Sequence, residues 1–359
     1  MITTTILGVI SILFAYLARY SNAKWGLKVS FILIFLFLAL RYDFGNDYQA
    51  YLEFFHRLSS QKYLTQIDFI QFEPFWVLLN FSFKNLGFFS MTIFIAAFTS
   101  ITYYKLIKKY VPEKLYWLAV FFYIFNPLFM LIGCSAMRQS IAITLFLISL
   151  EFVIKRKLFL YLLCIGAASL FHYTAVLLTP VYFLNYFIQK ISLKKGVLIF
   201  LFYLSLFPLL LLDGSLSAFI RDFVWDFAER FEYYYVRGDV ATGLGFVVFS
   251  LLLIMVLFFE RKQAREIGLF FKISIMGFLI MPLSLTLDII GRFALYFAPS
   301  TIIVYPNLLK SLNDNKIKVA FLAIIMAITI FQYIQFFYSE IYHDFFMNYQ
   351  TIFSADGWQ

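Results

Sequence analysis

Charge is what this chain has least of. Asp, Glu, Lys and Arg make up 14% of its 359 residues and 63% are hydrophobic, whereas ordinary soluble domains are roughly a quarter charged. With a mean hydropathy of +0.85, a soluble globular domain is excluded and a polytopic membrane protein remains. Cysteine is nearly missing. Cys134 and Cys164 fall in or beside apolar segments without metal-ligand spacing, so they read as buried reduced thiols. Of the three histidines, His56 and His343 are isolated in loops and receive no role. Motifs for ATP, nicotinamide, a zinc protease or a Gly-x-Ser-x-Gly nucleophile are absent, and so are a low-complexity linker, a coiled coil and a clear repeat.

What is present is a succession of apolar runs. A hydrocarbon core of about 30 Å needs about 20 apolar residues in a helix. On that measure the segments are 2–18, 27–40, 88–107, 115–133, 138–154, 158–171, 172–187, 196–212, 243–259, 267–287, 291–309 and 317–338. The first is read as a retained span rather than a signal peptide, since it lacks a basic leader and a small-residue cleavage site. The pair 158–171 and 172–187 can form a hairpin that crosses only in part. Segment 73–87 is short and carries Lys84, which places it in the interface.

The net charge of +9 sits in short runs between apolar segments: Arg19/Lys24/Lys28, Lys105/Lys108/Lys109/Lys114, Lys155/Arg156/Lys157, Lys190/Lys194/Lys195, Arg261/Lys262/Arg265 and Lys310/Lys316/Lys318. There it orients the chain rather than binding nucleic acid. Placing every run in the cytoplasm fits about twelve crossings with both termini outside. The expected fold is therefore all-α and polytopic: one transmembrane domain over 1–359, interfacial helices, and two outer loops, 41–72 and 213–242. The second loop mixes apolar and charged residues in the manner of an amphipathic helix.

Ionisable groups beside hydrocarbon are costly, so they usually face a polar interior. Arg138 and Gln139 open one apolar segment, and His172 interrupts the next run on the same side, away from the basic turn 155–157. The planar guanidinium of Arg138 suits phosphate or diphosphate oxygens; the alternative is an arginine snorkelling to headgroups. His172 can act as a general base or hydrogen-bond a sugar or phosphate oxygen, or simply bond a carbonyl in helix packing.

The stretch Arg41-Tyr-Asp43-Phe-Gly45-Asn-Asp47-Tyr48, followed by Tyr51, puts two carboxylates beside the membrane at a glycine turn. Asp43 or Asp47 can accept a proton from a sugar hydroxyl or hold a divalent ion, or pair with Arg41 to fix the loop. The absence of Asp-x-Asp spacing and of a His/Cys cluster argues against a metal. Asp288, Arg292 and Tyr296 follow one another at four-residue steps, so Arg292 either pairs locally with Asp288 or faces the cavity with Tyr296. In 213–242, Arg221, Arg230, Arg237 and the run Tyr233-Tyr234-Tyr235 can bind sugar, although most aromatic residues of such a chain are core or interfacial-belt residues. Glu151 and Lys155 read as a local ion pair, and Lys84 and Lys272 as snorkelling lysines.

Four stretches, RYDFGNDYQAY, MRQSIAITLFLISLEFVIKRK, SLFHYTAVLLTPVYF and GRFALYFAP, with a lesser NYQTIF near the end, together resemble the EpsG-like family of bacterial polysaccharide polymerases, relatives of Wzy-type enzymes. The resemblance implies a nucleotide-sugar-independent glycosyltransferase on the outer face of the bacterial cytoplasmic membrane. It would join oligosaccharide repeat units carried on undecaprenyl diphosphate, in O-antigen, capsule or exopolysaccharide synthesis, with an outward cavity of the glycosyltransferase-C kind. The implied partners are the lipid-linked donor and acceptor, the bilayer, a chain-length regulator and a flippase; no cofactor is implied. On the residues themselves, Asp43, Asp47 and His172 are the candidate catalytic groups. Arg41, Arg138, Gln139 and Arg292 would hold diphosphate. Tyr48, Tyr51, Arg230, Tyr234, Arg237 and Tyr296 would meet sugar. A lipid-linked oligosaccharide flippase, a polysaccharide ligase and a sugar O-acyltransferase remain as rival readings.

Overall fold

The computed structural model describes residues 1–20, 23–183, 196–203, 243–259, 265–281 and 288–353. The described chain is overwhelmingly helical. Helices α1 (Ile2–Leu17), α2 (Gly26–Leu40), α3 (Tyr48–Ser59), α4 (Gln66–Gln71), α5 (Pro74–Ser82), α6 (Phe88–Tyr110), α7 (Tyr116–Phe125), α8 (Met130–Ser135), α9 (Met137–Ile154) and α10 (Leu158–Phe171) form its first half. A 3-10 segment, Tyr173–Leu178, follows α10. Later come α11 (Gly243–Phe259), α12 (Arg265–Ile280), α13 (Asp288–Ala294), α14 (Thr301–Ser311), α15 (Asn315–Tyr338) and α16 (His343–Phe346). Strands β1 (Arg41–Tyr42) and β2 (Gln350–Thr351) pair antiparallel, Arg41 opposite Thr351. Among the described residues, α6, α9 and α15 are long and apolar enough to span a membrane, and α1, α2 and α10 are shorter apolar helices.

Small residues let the helices approach closely. The buried stripe of α1 is Thr4, Gly8, Ser11 and Ala15, and a Cβ on Gly8 would overlap the ring of Phe125 on α7. This is the packing that membrane helices use in place of a hydrophobic drive, since lipid is as apolar as leucine. Ile2, Ile6, Val9 and Leu13 on the other side of α1 stay exposed.

The path of the chain sorts the charges. The amino group of Met1 donates to the carbonyl of Met347 at 2.7 Å, so the start of α1 meets residues 343–351, and β1 lies there too. Away from this end, Lys109 and Lys155 both reach Glu151, at 3.0 and 2.6 Å, tying the C-termini of α6 and α9. Asn307 near Lys310 donates to the Tyr110 carbonyl at 2.9 Å, and the Tyr110 ring packs on Phe270 of α12. The described members of the basic runs, from the α1–α2 turn to the α14–α15 turn, therefore share one end. The Glu151–Lys155 pair is as expected from sequence.

Several expectations need correction. The single span expected over 115–133 breaks at Asn126-Pro127. Proline lacks an N–H and pushes the preceding residue towards extended backbone; Asn126 takes ψ 114° and its side-chain oxygen accepts the Leu128 N–H at 3.1 Å. The span expected over 291–309 is likewise broken between α13 and α14, with Pro299 in the break. Segment 41–72, the expected connecting loop, contains α3 and α4, and Lys272 is buried rather than snorkelling. Residues 173–183 fold back along α10, with Tyr161 donating to the Leu178 carbonyl. The loop 213–242 and part of span 196–212 lie outside the described residues.

A glycine seats the segment that follows α2. Gly45 has φ +130°, and a Cβ there would lie 2.8 Å from the Cys134 carbonyl oxygen. Gly45→Ala is expected to cost on the order of 1–3 kcal/mol through backbone strain and this clash. Purified protein in detergent should unfold at a lower temperature than wild type; an unchanged midpoint would contradict the contact.

Candidate active site

Two loops and two helix ends converge away from the basic end. Asn46 joins them: its backbone N–H donates to Ser135 Oγ at 2.8 Å, and its Nδ2 donates to the Ile341 carbonyl at 2.9 Å. Asp47, the next residue, caps the start of α3 in sequence and faces a cavity of about 630 Å³. That cavity is also lined by Gln139 at the start of α9, Arg292 on α13, and Gln332 and Gln335 on α15. Gln139 Nε2 donates to the Arg292 carbonyl at 2.5 Å, which fixes α13 against α9. Asp47 is exposed at the cavity and partly enclosed by the surrounding protein. Burial pushes its carboxyl above the usual range, against the pull of Arg292 and then Arg138.

Behind the cavity wall lies an ionic layer. Arg138 occupies the first turn of α9, where the helix dipole is positive and disfavours a cation. Its Nη1 meets Glu73 Oε2 at 2.5 Å, and its guanidinium lies 5.1 Å from the Phe72 ring centre and 6.0 Å from that of Tyr51. Glu73 is 4% exposed and directly precedes Pro74, the first residue of α5, a favoured place for proline because its missing N–H would be unpaired there anyway. His172, buried at the turn after α10, brings Nδ1 to 3.3 Å from Glu73 Oε1. This is ion-pair distance without hydrogen-bond alignment, and its Nε2 has no hydrogen-bond partner among the described residues. Burial alone would raise the Glu73 carboxyl, but contact with His172 and the charge of Arg138 outweigh it and hold the group down at about 2.

The structure thus gathers Asp47, Gln139 and Arg292 on the cavity, with Arg138 and His172 immediately behind. Arg41 and Asp43 are elsewhere. Arg41 is buried and its Nη1 donates to the Leu38 carbonyl at 2.5 Å, while Asp43 is exposed in the turn with φ +45°. Among the described residues no ion pair joins Arg41 to Asp43 or Asp47. Three of the four tyrosines expected to meet sugar are buried: Tyr48 and Tyr51 pack with α5 and α6, Tyr51 against Trp76, and Tyr296 lies 3.3 Å from the Thr174 hydroxyl. Arg230, Tyr234 and Arg237 lie outside the described residues, as does the side chain of Asp288. Among the described residues no group of His, Cys, Asp and Glu is arranged to hold a metal.

The family model for the EpsG family matches residues 24–351, a stretch containing every residue of this cavity and of the layer behind it. The chain belongs to the EpsG family. EpsG proteins are Wzy-like polysaccharide polymerases, and membership together with the apolar helices supports a membrane-embedded polymerase role of glycosyltransferase type. No curated protein and no solved structure gives a significant match.

Sequence reasoning missed Glu73, Asn46, Gln332 and Gln335. Glu73 carried a signal: it is a lone carboxylate among aromatic residues, just ahead of a proline that starts a helix. The two glutamines carried another, since amides inside so apolar a helix seek a polar surface.

Glu73→Ala would strand the Arg138 guanidinium. Breaking a fully buried pair costs about 3–5 kcal/mol; with the Arg138 side chain 23% exposed, a loss on the order of 2–3 kcal/mol is expected, read as a lower unfolding temperature. Because the folded carboxyl lies below its ordinary 4.5, the pair's contribution is complete above that pH and is lost as pH falls towards about 2. The wild-type midpoint should drop through this window more steeply than that of Glu73→Gln; parallel curves would remove Glu73 from the account.

Proposed function

We propose that this EpsG-family chain polymerises oligosaccharide repeat units carried on undecaprenyl diphosphate, at the outer face of the bacterial cytoplasmic membrane. The observation that carries the reading is the cavity that brings Asp47 and Arg292 together at the end away from the basic runs. Cytoplasmic loops are enriched in Lys and Arg, which turns that cavity outward, where lipid-linked repeat units are presented.

The chemistry is a displacement at the anomeric carbon of the donor sugar. An acceptor hydroxyl oxygen attacks that carbon, its bond to the diphosphate oxygen breaks, and the lipid diphosphate leaves with the electron pair. Arg292 neutralises charge on the leaving group, where stabilisation lowers the barrier. Asp47 takes the acceptor proton, a task helped by a carboxyl raised above its ordinary range. Arg138, compensated by Glu73, supports the site from behind, and His172 backs the same carboxylate rather than reaching the acceptor. Arg41 and Asp43 are assigned to the fold of the outer turn. Donor and acceptor chains, the bilayer, a flippase and a chain-length regulator are the partners this reading requires.

The purified protein in lipid, given defined diphosphate-linked repeat units, should yield a ladder of products. Arg292→Ala and Asp47→Asn should each slow laddering on the order of 100-fold while remaining folded. Wild-type chain lengths from both variants would refute the assignment. A single transfer without laddering would point to a ligase. Repeat units trapped inside cells lacking the protein would point to a flippase, and unchanged polymer that has lost acetyl groups to an O-acyltransferase.

A further inference from the structure

One wall of the cavity has no part in the charge chemistry. It comes from α15, a helix long and apolar enough to span a membrane. Gln332 and Gln335 nevertheless line the cavity from this helix, and Ser339 continues the same wall. Residues three and four apart lie on one helical face with Cβ atoms about 5–6 Å from each other, so the three form a single polar ladder. Neither glutamine side chain is hydrogen-bonded to another described residue. Amides in an apolar membrane helix are costly unless they meet a polar partner, and no described residue supplies one.

Beside the ladder a half-buried ring, Tyr342, lies over a buried one, Phe336. Phe336 and Tyr342, both on the cavity, stack with ring centres 4.3 Å apart and planes within 19°. A neutral amide offers two N–H donors and a carbonyl acceptor, which suits a hydroxyl that both gives and receives a hydrogen bond. A ring pair beside such amides suits a ligand with one apolar C–H face and a hydroxylated rim. Phosphate, with acceptor oxygens and full charge, would call for cations instead. We infer that Gln332 and Gln335, with the Phe336–Tyr342 platform, form a carbohydrate subsite for an uncharged sugar ring of the repeat unit. Asn46, bonded to the Ile341 carbonyl, sets this subsite next to Asp47. The inference rests on the polymerase reading for the identity of the sugar, and it makes α15 the element that selects among repeat units.

The test is direct binding of the repeat-unit oligosaccharide freed from its lipid by mild acid, followed by saturation-transfer NMR on the protein in lipid nanodiscs. Wild type should bind. Each neutral hydrogen bond is worth a few-fold in affinity, so Gln332→Leu/Gln335→Leu should weaken binding by about tenfold. Leucine suits an apolar helix, so folding should be kept; elution as a single species checks this. Gln332→Asn/Gln335→Asn, which shortens the amides but keeps them, should fall between. Equal binding by wild type and the leucine variant, or no binding by wild type, overturns the subsite. The polymerase reading is judged separately by wild-type laddering: a ladder with unchanged KM in the leucine variant sinks the subsite alone, and binding without a ladder sinks the polymerase alone.

Discussion

A guanidinium in the first turn of an apolar helix is disfavoured twice, by lost hydration and by the positive end of the helix dipole. Arg138 stands in that position, and the rest of this end of the molecule is arranged around its compensation. Glu73 must sit against it, which fixes where α5 begins; the aromatic faces of Phe72 and Tyr51 complete the enclosure. His172 closes the other side of the carboxylate, which in turn fixes where the chain doubles back after α10. With α9 held this way, the neighbouring Gln139 is aimed at α13 and holds Arg292 at the cavity. One charge therefore sets the positions of four chain segments.

The cavity is equally a product of interrupted helices. Backbone that leaves helical geometry at membrane depth is tolerated where it lines a cavity or is buried in protein. Asn126-Pro127 and the stretch after Arg292 are such places, and Pro127, Leu128 and Leu295 all border the cavity. Polar lining enters on elements that are otherwise hydrophobic, so a mixed surface is built without a soluble domain.

How far this was legible in the sequence depended on the kind of signal. Long apolar runs gave α6, α9 and α15 close to their observed limits, because a period of apolar residues over twenty positions has few other uses. Breaks were missed where one proline outweighed a hydrophobic run, as at Pro127. Arg138, Gln139 and His172 stood out as polar residues in apolar surroundings, and they do lie together. Their spacing could not reveal Glu73, which is 65 positions from Arg138, because a long-range pair leaves no periodic trace. The tyrosines Tyr48, Tyr51 and Tyr296 read as sugar contacts because they flank charged residues, whereas their burial follows from packing that a linear pattern does not encode.

The strand pair β1–β2 and the contacts of Met1, Gly45 and Asn46 with residues 341–351 join early chain to late chain. Synthesis runs from the N-terminus, so segments carrying Asp47, Arg138 and Arg292 enter the bilayer before the wall that completes their enclosure. A ribosome still making α15 holds a protein whose cavity lacks one wall. The last segment to be made is the one that closes the cavity.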